Sequence, residues 1–256
     1  MADISRFRGP LLKIERAGHH MSELDRIFHQ FVEEGGAHDL LDIAESDDYS
    51  MIFPTIKKPF PDHVATVVGD ALHNLRAALD HIYVILVELN GEVAGKYTKF
   101  PIGEVGYVRS RLTEKNPNPS AIVMDCIFNE IRPFDFPEGD GVISGLHDLD
   151  IADKHVILIP VVGAVNIVDM TLRRPDGGPG IRCQNVITHD QFSHLPPEFR
   201  PLSFFAQGMK AEQNKPPELK MLFGDGQPFA GEGVIETLQK MSDVVEHTVR
   251  RLAELA

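Results

Sequence analysis

The chain lacks the short motifs that announce the commonest catalytic frameworks. It has no GxxxxGK[ST] phosphate loop, no GxGxxG, no HExxH, no CxxC and no GxSxG. Cysteine is scarce: Cys126 and Cys183 are the only two, which excludes a disulfide framework and suits a reducing compartment. Long apolar runs are missing too. The N-terminus MADISRFRGP has no signal-peptide core. The longest apolar segment, His155 to Val168, is too short for a bilayer and is interrupted by Pro160 and Gly163. A cytoplasmic protein with no membrane partner is therefore expected. Positive charge is in deficit, with 25 Lys and Arg against 38 Asp and Glu, a net charge of −13. That excludes a broad nucleic-acid surface and leaves room only for a local basic pocket. There are no repeats and no low-complexity segment.

What the chain does have is a core's worth of apolar residues, 43% of 256, and 12 histidines, which keep acid–base and metal roles open. One stretch organises the rest: Pro61 to Asn90. Pro61 and Asp62 suit a helix N-terminus, and Asn90-Gly91 a C-terminus. Val64, Val68, Ala71, Leu75, Ala78, Leu79, Ile82, Leu86 and Leu89 recur at three- and four-residue spacing and predict one buried face. At about 100° per residue, His73, Arg76 and Asp80 line up on the opposite side. This row carries small neighbours, Gly69, Ala77 and Ala78, and no lysine falls between Lys58 and Glu88. Such a face suits a cleft or a second helix, although a solvated face with an Arg76–Asp80 pair has the same spacing.

Around it the chain reads as helices, then strands, then a helix. Residues 1–20 suit a strand or an arm (Leu11, Leu12, Ile14), with His19-His20 on the surface. Helices are predicted at about 21–34, 105–114, 120–131, 142–152 and 232–255. MIFPTIKKPF, 51–60, reads as an edge strand because of Pro54 and Pro59. HVILIPVV and AVNIVDMTLRR read as a hairpin turning at Gly163, with further strands at IRCQNVIT and ELKMLFG. The expectation is an α+β fold in a single domain, 1–256. A helical bundle (about 21–153 plus 232–255) is organised around the helix 61–90. An antiparallel sheet of three to five strands from about 155–224 lies on one flank.

A second polar cluster, GLHDLDIADKH at 145–155, sets His147, Asp150 and Lys154 on one helix face with Asp153 and His155 at its end. Side chains of this kind suit a divalent ion, or simply a helix terminus. ALHNLRAALDHI at 71–82, FPI at 100–102 and LxxLDIADKH at 146–155 resemble an uncharacterised bacterial and phage-associated protein family across roughly residues 60–160. That resemblance implies a shared fold and brings no activity. Arg76-Ala-Ala-Leu-Asp-His81 also resembles the Arg-x4–6-His motif of the HEPN superfamily, helical-bundle endoribonucleases that are mostly metal-independent. Ala77 departs from the polar residue usual there, and five residues put Arg76 and His81 about 140° apart on an ideal helix. LeuHisAsp at 146–148 resembles the HD-type metal phosphohydrolases, with His73 and Asp190 as the remaining ligands; His38-Asp39 and His189-Asp190 are equal dipeptides.

Three roles follow. Arg76, His81 and His73 are the catalytic candidates, with Arg76 stabilising phosphorane charge and His81 moving a proton. Asp80, Asp150, Asp153, Lys154 and His155 are the binding candidates, suited to an anion or a partner. The third role is structural: a buried Arg76 paired with Asp80, Asp150 or Asp153, locking two helices. Charge balance favours Asp150 or Asp153 as its partner. No cofactor and no metal are assigned; a homodimer, RNA or a small anion are the partners considered.

Overall fold

The structure, a computed structural model, describes residues 4–36, 41–45, 49–54, 60–114, 117–155, 160–187, 203–206, 208–215, 218–224 and 226–256. The fold is α+β, with a bundle of helices and antiparallel sheets. The chain divides into two compact units interleaved in sequence. One contains Met1–Leu24, Ala65–Leu158 and Ile235–Ala256; the other contains Asp25–Val64 and Ile159–Val234.

In the first unit lie the start of α1 (Arg8–Phe31), nearly all of α2 (Val64–Leu89), α3 (Val105–Thr113), α4 (Ala121–Asp125) with the π-helical segment Cys126–Ile131 that continues it, α5 (Val142–His155), and nearly all of α6 (Val234–Glu254). The predicted stripe of α2 is its buried face. Val64, Val68, Ala71, Leu75, Ala78, Leu79, Ile82 and Leu86 are all buried, and Leu89 at the last turn is exposed. α6 buries Leu238, Met241, Val245, Val249 and Leu252 at the same spacing. α1 and α2 run antiparallel, since Lys13 Nζ donates to Asn74 Oδ1 at 3.3 Å while Gly9 lies beside His81.

Residues 8–20 correct the expected strand or arm: they are helix. Phe7, Pro10, Ile14, Ala17, Met21, Leu24, Ile27 and Phe31 are buried at three- and four-residue steps, a helical period that the local alternation at Leu11–Ile14 conceals. Pro10 is tolerated because it sits in the first turn, where its missing N–H has no partner to lose. The same face carries His20 inward, 6% exposed, against the surface position expected for it; His19 is exposed.

The second unit holds the strands, and their number corrects the single sheet of three to five. Among the described residues there are two antiparallel sheets, one of three strands and one of four. β1 (Leu41–Glu45), β2 (Tyr49–Pro54) and β5 (Ser203–Ala206) form the first, with β2 in the middle rather than at an edge. Pro54 is the last residue of β2, so its missing N–H interrupts no ladder; Pro59 lies outside the described residues. β3 (Pro160–Arg173) is the axis of the second, pairing with β4 (Ile181–Ile187), β6 (Lys210–Gln213) and β7 (Glu218–Phe223). The predicted turn at Gly163 is instead mid-strand, paired with Lys220, and a bulge falls between Ala164 and Asn166. The first half of β3 is almost wholly apolar, and the glycine within it imitates a turn signal. Asp169 of β3 is buried and accepts from Arg182 Nε (2.9 Å) and Asn214 Nδ2 (3.1 Å), which holds its carboxyl down at about 2.

No helix among the described residues is long and apolar enough to cross a membrane. Both cysteines are free thiols. Cys126 is buried, and burial followed by the Glu130 charge pushes its thiol up to about 11; Cys183 is half-buried.

Two outcomes are expected. Leu79→Ala, at a site of no exposure, should cost about 2–5 kcal/mol in chemical denaturation; a loss below about 1 kcal/mol would contradict the central place of α2. In the native, unreduced protein a thiol reagent should label Cys183 well before Cys126, and after unfolding it should label both. Equal native rates would contradict the burial of Cys126.

Candidate functional site

α2 and α5 bring the two polar clusters of the sequence together. They run antiparallel in a fixed register: Gly69 faces Asp153, His73 faces Asp150 and Arg76 faces His147. The steps of three and four residues on each helix are the spacing that keeps one face in line. The close approach at one end depends on Gly69. A Cβ there would stand within 2.6 Å of the Asp153 carboxyl group, so that carboxylate lies almost on the α2 backbone.

Arg76 is the innermost member, only 5% exposed. Its Nη1 donates to Asp80 Oδ1 at 2.6 Å, its Nη2 to the Phe100 carbonyl at 3.1 Å, and its Nε to His147 Nδ1 at 3.4 Å. Asp80 Oδ1 also accepts from the Phe100 N–H at 2.9 Å. Arg76 and Asp80 thus hold both backbone polar groups of Phe100, as a neighbouring strand would. The side chain of Phe100 is 1% exposed and meets the Tyr83 ring edge-on at 6.1 Å. Pro101 and Ile102 are buried with it. The FPI segment is therefore a buried plug whose backbone bonds go to an ion pair.

The expected partner of Arg76 was Asp150 or Asp153, and neither takes that place. Arg76 directs its guanidinium toward Asp80, one turn C-terminal, where the Phe100 backbone supplies further partners. Asp150 lies beside His73, one turn N-terminal. It is 3% exposed, with one oxygen 3.2 Å from His73 Nδ1 and the other accepting from Lys154. The side chains of His73 and Lys154 are mostly exposed, at 59% and 52%. Asp153 is half-buried and its carboxyl is raised by burial and then by the Asp150 and Asp70 charges. His155 closes α5, is exposed and makes no polar contact with the described residues.

His147 is the member whose role in this network the sequence did not suggest, although it lies one turn from Asp150 in the same cluster. Burial, then the Arg76 charge, holds its pKa below the ordinary histidine value. Because Arg76 Nε is always a donor, His147 Nδ1 must be the acceptor, so the ring is neutral and carries its proton on Nε2.

Arg76 and His81 do not meet within one chain. Arg76 faces α5 and the FPI segment, whereas exposed His81 lies over Gly9 of α1, its Nδ1 3.9 Å from where a Gly9 Cβ would stand. For the HD-type reading, His189, Asp190, His38 and Asp39 lie outside the described residues. Among the described residues no group of three or more His, Cys, Asp or Glu is placed to hold a metal ion. No family model, curated protein or solved structure matches the chain.

The depressed pKa of His147 has a pH consequence. The unfolded chain takes up a proton near 6.5 while the folded ring resists it. The stability due to neutral His147 is therefore present above 6.5 and is lost as the pH falls through its lower folded value. His147→Asn keeps an acceptor near the Nδ1 position without titrating. Its denaturation midpoint should fall less steeply than the parent's between about pH 7 and 5; parallel slopes would contradict the assignment.

Proposed function

We propose that this is a partner-binding α+β protein whose His/Arg/Asp cluster is mainly structural. In this reading Arg76 and Asp80 clamp the FPI segment into the helical unit, and the exposed edge formed by His73 and Lys154, both held by buried Asp150, is the part a partner meets. One observation carries the reading: Nε, Nη1 and Nη2 of Arg76 are each committed inside the chain, and its side chain is only 7% exposed. An incoming phosphate would have to displace Asp80 and the Phe100 carbonyl to reach it.

Ribonuclease action in the HEPN manner would require Arg76 to leave those partners and a second copy to supply His81. Arg76→Ala separates the readings. As a clamp, Arg76 leaves a carboxylate and a carbonyl unpaired when removed. The loss should be about 3 kcal/mol, the low end for a broken buried pair because Asp80 retains some water. Arg76→Lys should fall between the two, since an ammonium cannot span three partners. His81→Ala should leave stability and any RNA cleavage unchanged. A stable Arg76→Ala variant that loses RNA cleavage together with His81→Ala would establish the ribonuclease instead.

A second reading rests on His73. A buried carboxylate on Nδ1 leaves Nε2 of an exposed imidazole available as a general base, so the same edge suits water activation. Under it, His73→Ala and Asp150→Asn would both abolish a hydrolytic activity that Arg76→Lys retains.

A further inference from the structure

On the helical unit, away from the seam between α2 and α5, an open cavity of about 390 Å³ lies against α3, α4 and the π-helical segment. Its lining mixes apolar side chains, Leu112 and Met124, with one exposed cation, Arg109. The guanidinium carbon of Arg109 stands 5.0 Å from the centre of the Phe128 ring, and that ring is braced edge-on by Phe134 at 5.2 Å. No carboxylate among the described residues pairs with Arg109. Asp125, also in the lining, is turned onto Asn129, whose Nδ2 donates to it at 2.7 Å. The Arg109 guanidinium is thus oriented by an aromatic ring, with no acid held on it among the described residues.

We propose that this groove binds a small aromatic monocarboxylate. Resting on Phe128 occupies a face of the guanidinium and leaves its N–H edges to accept a carboxylate in the bidentate fork. The ring of the ligand then covers half-buried Met124, whose thioether suits an aromatic neighbour, above buried Leu112. A single guanidinium matches one negative charge. A phosphate dianion would meet Asp125 with only Arg109 to balance it, so a carboxylate is favoured. Phe128 projects from the π-helical segment, where the wider turn places it beside Arg109 on α3.

The test uses 2-naphthoate and its uncharged analogue 2-naphthamide, titrated into the full-length protein and followed by backbone amide NMR. Saturable shifts are expected in residues 108–113 and 121–129 with 2-naphthoate, with 2-naphthamide weaker by about tenfold or more. Arg109→Gln should weaken 2-naphthoate by a similar factor and abolish the discrimination between the two compounds. Its melting temperature should stay within about 2 °C of the parent, since the side chain is exposed. Equal affinity for acid and amide, undiminished 2-naphthoate binding by Arg109→Gln, shifts centred elsewhere, or no saturable shift up to about 10 mM would each overturn the proposal.

Discussion

The helical unit depends on one buried guanidinium and where its hydrogen bonds go. Arg76 is charged at any ordinary pH, and a charge taken out of water must be met by an acid and by acceptors for its remaining N–H groups. Asp80 supplies the acid from the next turn of the same helix, the Phe100 carbonyl and His147 supply the acceptors, and Asp80 returns a bond to the Phe100 N–H. Among the described residues no strand lies beside the FPI segment at Phe100, yet neither polar group of that buried peptide is left unpaired. Lysine could not do this, because its three donors share one nitrogen, whereas the guanidinium spreads its donors over three nitrogens and reaches three separated acceptors.

From that centre the seam between α2 and α5 grades outward. Arg76, buried, and His147, half-buried, form a rung in which burial and the Arg76 charge keep the imidazole neutral. The next rung is buried on the α5 side at Asp150 and wet on the α2 side at His73. At the far end Asp153 lies on Gly69. The structural and the ligand-facing parts of one row are thus a single turn apart. A polar row in sequence need not be a single site: burial divides it, and the side chains that retain water contact are the ones able to act on anything outside the chain.

Element by element, the sequence was most legible where a long helical period runs without competition. The buried faces of α2 and α6 follow from apolar spacing alone, and the breaks at Asn90-Gly91 and Pro117–Pro119 stand outside the helices as expected. It misled where a local signal has two meanings. Leu11, Leu12 and Ile14 alternate like a strand, but their register continues to Phe31 and makes them helix. Gly163 resembles a turn and lies inside β3, where β7 holds the strand through it by pairing it with Lys220. β5 and β6 come from a Pro-rich stretch with little period of its own, and their pairing partners lie far off in the chain.

By itself the sequence determined that the chain has a helical core organised on about residues 61–90, that it lacks the P-loop, GxGxxG, HExxH, CxxC and GxSxG motifs, and that His73, Arg76, Asp80, His147 and Asp150 lie on helix faces able to meet. These are consequences of spacing and side-chain type, which act locally. Only the tertiary structure decided which of those groups touch. Arg76 went to Asp80 and a backbone carbonyl rather than to Asp150, because the register of two antiparallel helices and the arrival of the FPI segment set the distances. The five-residue step on α2 already sets His81 about 140° from Arg76; the tertiary structure decided that it lies over Gly9 of α1. Such pairings depend on three-dimensional distance between residues 20 to 77 positions apart, which periodicity along the chain does not encode.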